Sequence, residues 1–219
     1  MDHVIAEAAI ELEWLNSERD DVPSETDLLN DALGSIGASR ITAIDDGSTN
    51  ANHCQTFYPA LRDAWLTFCH WKFNKARIEL AADATPPLFE FAFSYTLPSD
   101  NLKLIEYNGV NTDTSSLVLF EFSTVFRFKI EGNKLLTNDG AVKIVYLKRV
   151  TDPNLWTPLF YQGLSALLAG KLAMAIPKDA RMSLAKFNEG QAIMLLAAAV
   201  DGQQGSVEPF RADDLMWGR

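Results

Sequence analysis

The sequence predicts an α+β protein: a helical bundle of N- and C-terminal helices, an inserted antiparallel β lobe and an extended C-terminal tail. Three observations predict it. Residues 159–176 form an almost entirely apolar helical segment, whereas alternating aromatic residues and the hairpin dipeptide Asn108-Gly109 indicate antiparallel strands in the middle of the chain. Residues 206–219 follow neither a helical nor a strand period.

These patterns divide the 219 residues into four parts. An acidic N-terminal extension covers residues 1–22. The helical domain combines residues 23–80 and 150–201, the β lobe covers residues 81–149, and the C-terminal tail covers residues 202–219. A chain of this length is long enough to bury one sizeable core with a smaller second lobe.

The N-terminal half is predicted to be helical. Residues 3–15 carry a modest apolar stripe, which predicts either an amphipathic arm that docks on a partner or a solvated terminal helix; its members are Val4, Ile5, Ala8, Leu12 and Leu15. Ser24 and Asp27 predict a capping box at the start of a short helix that Gly37 ends. A longer helix follows, capped by Ser48 or Thr49, kinked or split by Pro59, and ending around residues 71–74. Its predicted inner face comprises Cys54, Phe57, Leu61, Ala64, Trp65 and Phe68.

The middle of the chain is predicted to form strands. Phe89, Phe91, Phe93 and Tyr95 alternate with smaller or polar residues, which predicts one strand with an aromatic face. Residues 102–107, the Phe- and Val-rich segment 117–130, and the alternating Val142, Ile144 and Tyr146 predict further strands separated by turn residues.

The central feature is the helix expected within residues 152–176. Two start signals, Asp152-Pro153 and Thr157-Pro158, precede it. One face carries Phe160, Leu164, Leu168, Leu172 and Ile176, and a stripe of small residues on the other side carries Gly163, Ala166, Gly170 and Ala173. A helix that is apolar nearly all round is buried on two sides. The sequence therefore predicts a central core helix, or one whose small stripe also admits a neighbouring subunit; Lys171 and the short length argue against a membrane span.

Beyond Pro177, residues 180–200 predict a second, alanine-rich helix, and residues 202–205 predict a flexible joint. The tail then carries four large apolar side chains: Phe210, Leu215, Met216 and Trp217. Such a tail either folds back on its own domain or docks on another chain, because burying each side chain is worth roughly 1.5–3 kcal/mol.

The charge is unevenly distributed. Residues 1–31 hold ten acids and one base, so most of the net charge of −10 lies there and the rest of the chain is nearly neutral. No basic block offers a footprint for phosphates, so tight DNA binding is not expected. The N-terminus lacks the pattern of a signal peptide, and the two cysteines are expected to be free thiols in a reducing compartment.

No constellation in the sequence predicts catalysis, a metal or a cofactor. The pairs His53-Cys54 and Cys69-His70 are too far apart on one helix to share a zinc ion. Asp45-Asp46 and Asp213-Asp214 lie in loop-like stretches, and no nucleophile elbow, phosphate loop or dinucleotide fingerprint is present. We therefore expect a non-enzymatic protein.

Four segments together resemble the tail tubular protein A family of tailed bacteriophages, the head-to-tail adaptors below the portal. They are LLNDALGSIG (28–37), FYPALRDAWLTFCHWKF (57–73), YTLPSDNLKLIE (95–106) and RVTDPNLWTPLFYQGLSALLAGKLAMAI (149–176), which span most of residues 28–200. Their order and spacing carry the resemblance. The extension of residues 1–22 departs from the family pattern, so no role is transferred to it.

The resemblance implies a structural virion protein in the neck or tail, assembled in the host cytoplasm. Such proteins form a homo-oligomeric ring, commonly a dodecamer, between the portal protein and the tail tube or nozzle protein, and DNA passes through the bore without specific binding. The resemblance further implies that helices build the ring wall, that the C-terminal tail reaches the portal and that the β lobe faces the next tail component. The alternatives are a tail completion or terminator ring protein and a small intracellular hydrolase.

Overall fold

The computed structural model describes residues 23–112 and 128–203. In this part, four α-helices and two antiparallel sheets confirm the α+β class. The helices are α1 (Glu25–Ser35), α2 (Thr49–Leu66), α3 (Pro158–Ala175) and α4 (Ala180–Gln203). The strands are β1 (Lys75–Leu80), β2 (Phe93–Thr96), β3 (Asn101–Tyr107), β4 (Val110–Asn111), β5 (Phe128–Glu131), β6 (Lys134–Thr137) and β7 (Val142–Lys148).

Helix α1 begins with the predicted capping box. The Ser24 N–H donates to Asp27 Oδ2 at 2.9 Å, and the Asp27 N–H donates to Ser24 Oγ at 3.2 Å. Each bond satisfies a backbone donor that the first helical turn leaves without a partner. Gly37 follows the helix at a φ of 73°, a left-handed conformation that favours glycine.

Helix α2 is not split at Pro59, and it ends earlier than predicted, at Leu66, before a separate 3₁₀ turn at Lys72–Asn74. Its buried side comprises Ala51, Cys54, Tyr58, Arg62 and Leu66, so the predicted inner face is partly wrong, and Ala64 and Phe68 are exposed. Arg62 is buried because its guanidinium lies 5.4 Å from the Tyr58 ring centre and pairs with Asp63 at 3.0 Å.

Helix α3 is the central helix, as its apolar pattern predicts, because it packs against α1, α2 and α4. Of the two start signals, Thr157-Pro158 begins α3, whereas Asp152-Pro153 begins a 3₁₀ turn at Pro153–Leu155. Phe160, near the start of α3, is fully buried between Trp71 and Trp156, with ring centres at 5.1 and 5.4 Å.

Helix α4 continues to Gln203, so residues 202 and 203 are helical and not part of the flexible joint that was expected at residues 202–205. Asp179 caps its first turn, because Asp179 Oδ1 accepts from the N–H groups of Arg181 and Met182 at 2.9 and 3.0 Å. The connection from α3 is short, and Lys178 adopts a positive φ of 56° within it.

The strands form two antiparallel sheets with orders β1-β7-β3-β4 and β2-β6-β5. Strand β1 was not predicted; it lies before the predicted lobe boundary at residue 81, yet it pairs with β7. The predicted aromatic strand begins only at Phe93 in the structure. Phe89 is 78% exposed, and Glu90 has a φ of 71° that interrupts extended backbone. Asn108-Gly109 forms the predicted hairpin turn, with both residues at positive φ.

Two hydrophobic clusters hold these elements together. The larger is formed mainly by α1, α2 and α3, with Met194 and Ala197 of α4. The smaller lies among the strands and includes Tyr95, Tyr107, Leu135 and Val142. A polar contact also stabilises it, because the Tyr107 hydroxyl donates to Asp139 Oδ2 at 2.6 Å.

Candidate assembly interface

The small residues of α3 face helix α4 of the same chain. A Cβ atom added at Gly163 would lie 2.9 Å from Met194 Cγ, and one added at Gly170 would lie 3.0 Å from the backbone nitrogen of Phe187. Ala166 and Ala173 of the same stripe are also buried. The Ser183 hydroxyl donates to the carbonyl of Gly170 at 2.7 Å, so the two helix backbones approach closely at this point.

A third glycine, which the sequence analysis did not single out, contributes from the opposite helix. A Cβ atom at Gly190 of α4 would lie 2.7 Å from the backbone nitrogen of Leu167. Real Cβ contacts are essentially never that short, so only glycine fits here without a shift of the helices. The signal was available in the sequence, because Gly190 stands alone in the middle of an alanine-rich helical pattern.

The outer side of α4 carries exposed apolar residues. Five of them recur at the spacing of a single helical stripe: Ala192, Leu195, Leu196, Ala199 and Val200. We call this set the outer stripe. Leu195 and Leu196 are 60% and 54% exposed. The single charged side chain between residues 190 and 203, Asp201, is buried and accepts from the backbone N–H of Lys72.

The outer stripe is therefore an uncharged, apolar surface on the last turns of a well-packed helix. Depletion of charge with retention of large aliphatic side chains is typical of the central part of a protein–protein interface. Isolated exposed leucines are ordinary on protein surfaces, but a continuous uncharged stripe is a candidate interaction surface.

The two thiols have low reactivity. Cys54 is fully buried, and burial raises its pKa to about 11. Burial likewise raises the pKa of Cys69 to about 11. Because the thiolate is the nucleophilic form, both side chains are protonated and weakly nucleophilic at neutral pH.

The carboxylates with clearly lowered pKa values stabilise loops and turns. Hydrogen bonds from Ser48, and then from Thr42, lower the pKa of Asp46 to about 2. The pKa of Asp83 is lowered to about 2 by hydrogen bonds from Lys134, Ser94 and Thr96. Each of these carboxylates therefore accepts hydrogen bonds from residues that lie next to it in the fold. The Asp45-Asp46 pair lies on an exposed loop.

Within residues 23–112 and 128–203, no group of three or more His, Cys, Asp or Glu side chains is arranged to hold a metal ion. In the same part of the chain, no helix combines the length and apolarity needed to cross a bilayer. The predicted docking residues Phe210, Leu215, Met216 and Trp217 lie outside the described residues, as does the N-terminal extension.

No protein-family model and no curated protein sequence matches this chain.

Proposed function

We propose that the chain is a subunit of the head-to-tail adaptor ring of a tailed bacteriophage. The ring, a dodecamer as the resemblance implies, joins the portal protein to the tail tube or nozzle protein and forms part of the DNA channel. The observation that carries this proposal is the outer stripe of α4, an uncharged apolar surface beside a closely packed helix pair. The four sequence segments that resemble tail adaptors support the same function.

In this proposal, the N- and C-terminal helices form a bundle that builds the ring wall, with the outer stripe of one subunit packed against the next. The β lobe between the helices faces the following tail component. The tail, through Phe210, Leu215, Met216 and Trp217, reaches the portal. Trp is enriched among interface hot spots because one side chain buries a large apolar area, which suits a docking role at the end of the chain.

The charge distribution supports a channel that DNA crosses without being held. Residues 32–219 hold 18 basic and 19 acidic residues, so this part of the chain is close to neutral. A basic channel wall would add sequence-independent affinity for phosphates and slow the passage of DNA. A nearly neutral wall avoids that affinity.

Assembly tests the proposal directly. The purified chain, alone and mixed with the portal oligomer of the same phage, is examined by light scattering after size exclusion and by electron microscopy. We expect closed rings, and we expect the double variant Leu195→Glu, Leu196→Glu to lose them, because carboxylates would be buried without partners at the contact. Leu155→Glu is the matched control, since Leu155 is 54% exposed but lies on the 3₁₀ turn before α3.

The proposal fails if the wild-type chain forms no ring under either condition. It also fails if the double variant assembles as the wild type does, because the outer stripe would then not be the contact.

A further inference from the structure

A groove opens between helices α2, α3 and α4, at the end of the helix pair opposite to the outer stripe. It encloses about 480 Å³ and is lined mainly by apolar side chains, namely Phe57, Met174, Leu184 and Phe187. Met174 and Leu184 are 53% and 62% exposed, so the groove presents large aliphatic surfaces to solvent. The charged residue in its lining is Lys171, whose Nζ lies 5.8 Å from the Phe187 ring centre.

The chain that borders this groove carries more positive than negative charge. Lys171 lines the groove, and the exposed Lys178 and Arg181 lie within two residues of its lining residue Ala180. The acid among them, Asp179, accepts from two N–H groups of the first turn of α4, so three bases and one acid leave a net charge of +2. On the α2 side, residues 47–61 contain no Asp, Glu, Lys or Arg. The groove therefore fits an acidic, amphipathic segment.

We propose that the N-terminal extension, residues 1–22 of the same chain, binds in this groove. The extension has the matching chemistry, with seven acids and one base. Its apolar stripe, defined above by residues between 4 and 15, would lie on the apolar floor, and its acids would face the cationic rim. Complementary charge of this kind orients a bound segment and selects it over neutral alternatives.

The extension also begins in the right place. It joins the described chain just before α1, where Glu25 pairs with Arg62 of α2 at 3.9 Å. Phe57 of the groove lies five residues before Arg62 on the same helix, which is about 7.5 Å along its axis and about 140° around it, so the connection has to pass round α2. If residues 3–15 are helical, they span about 20 Å, and residues 16–22 remain as the connection.

The other terminal segment is less well placed. The C-terminal tail leaves after Gln203, which is 19 residues beyond Leu184 on α4 and so about 28 Å along the helix. Its acids Glu208, Asp213 and Asp214 are nearly balanced by Arg211 and Arg219. Length and charge thus both favour the N-terminal extension as the occupant. The contact is separate from ring formation, since it lies at the other end of α4 from the outer stripe.

Hydrogen–deuterium exchange on the full chain tests this contact. Amide exchange of residues 3–15 is compared among the wild type, Leu184→Glu in the groove and Leu155→Glu on the 3₁₀ turn before α3. The two leucines are 62% and 54% exposed, so the variants differ mainly in position. Because exchange reports local opening, we expect protection in the wild type and Leu155→Glu, and at least about fivefold faster exchange in Leu184→Glu.

Salt and concentration give two further measurements. Raising sodium chloride from about 0.05 to 0.5 M should speed exchange of the extension, because salt screens exposed charges. Dilution over about tenfold should leave it unchanged, because an intramolecular contact does not depend on concentration.

Several results would overturn the proposal. Equal exchange in all three proteins would show that the groove does not hold the extension. Protection that falls on dilution would make a second copy the occupant. Loss of protection in the C-terminal tail, rather than in residues 3–15, on introducing Leu184→Glu would make the tail the occupant.

Discussion

Gly190→Ala should destabilise the protein although alanine is the better helix former. In the middle of a helix, replacing glycine by alanine ordinarily gains about 1 kcal/mol. Here the new methyl group would lie 2.7 Å from the Leu167 nitrogen and 2.6 Å from Leu167 Cγ. Because a backbone atom cannot move aside without shifting α3, overpacking should cost the upper part of the usual range, about 2–3 kcal/mol. The expected net loss is about 1–2 kcal/mol, a decrease in Tm of about 2–8 °C for a chain of this size.

Gly34→Ala is the matched control. Gly34 lies in the last turn of α1, and a Cβ atom there would meet nothing within 4 Å. The same chemical change should therefore raise Tm by about 1–4 °C, through reduced freedom of the unfolded chain. Thermal unfolding followed by circular dichroism measures both variants. Equal shifts of the same sign would refute the close contact between α3 and α4 on which this reasoning depends.

Four other predictions concern parts outside this contact. Asp46→Asn should lower Tm above pH 4 but lose its effect as pH falls towards 2, because the folded carboxylate with a pKa of about 2 contributes stability only above that range. The buried Cys54 should react with a thiol reagent at pH 8 at least about tenfold more slowly in the native than in the urea-unfolded protein. Deletion of residues 1–22 should preserve a single cooperative melt, since the described residues from 28 onward already form two extensive hydrophobic clusters. Deletion of residues 206–219 should leave a folded protein that binds the portal at least about thirtyfold more weakly in co-sedimentation, as loss of one hot spot implies; unchanged binding would remove the tail from the proposed interface.

The helices were predictable where local signals agree. Ser24 with Asp27 places the start of α1, and the i, i+4 recurrence from Phe160 to Leu172 places the buried face of α3. The inner face of α2 was less predictable, because hydrophobic periodicity treats Arg62 as a surface residue. Its burial depends on Tyr58 beneath the guanidinium and on acids from the same and a neighbouring helix, which a linear pattern does not show.

Strand β1 was missed for a different reason. Lys75–Leu80 is rich in charge and follows a helix, so its local pattern is not typical of a buried strand. It is a strand because it pairs with β7, more than 60 residues later in the chain. Such pairing depends on long-range contacts. Conversely, Phe89 and Phe91 alternate as a strand should, but the backbone at Glu90 turns to positive φ.

The candidate interface was predictable only in part. The small residues of α3 indicated a close helix contact, and the partner helix proved to be α4 of the same chain. The outer stripe could not be recognised from sequence, because Ala192, Leu195 and Leu196 have the composition of a core helix. Which of them face outward depends on the rotation of α4, and Gly190 and Met194 determine that rotation by packing against α3.

The packing of α4 against α3 therefore also determines how the outer stripe is presented to solvent. Three glycines hold the α3 and α4 backbones close together, so the outer stripe is presented on a rigid support with little conformational entropy left to lose. Leu195 and Leu196 are already about half buried, so covering the rest of each is worth about 1 kcal/mol, which is weak for a single pair of subunits. In a closed ring every subunit makes two such contacts at once, and the contacts after the first form within one assembly at high effective concentration. The stripe therefore supplies only part of the contact free energy that the proposed ring needs, because association costs about 4 kcal/mol or more, and the same stripe on a mobile helix would supply less.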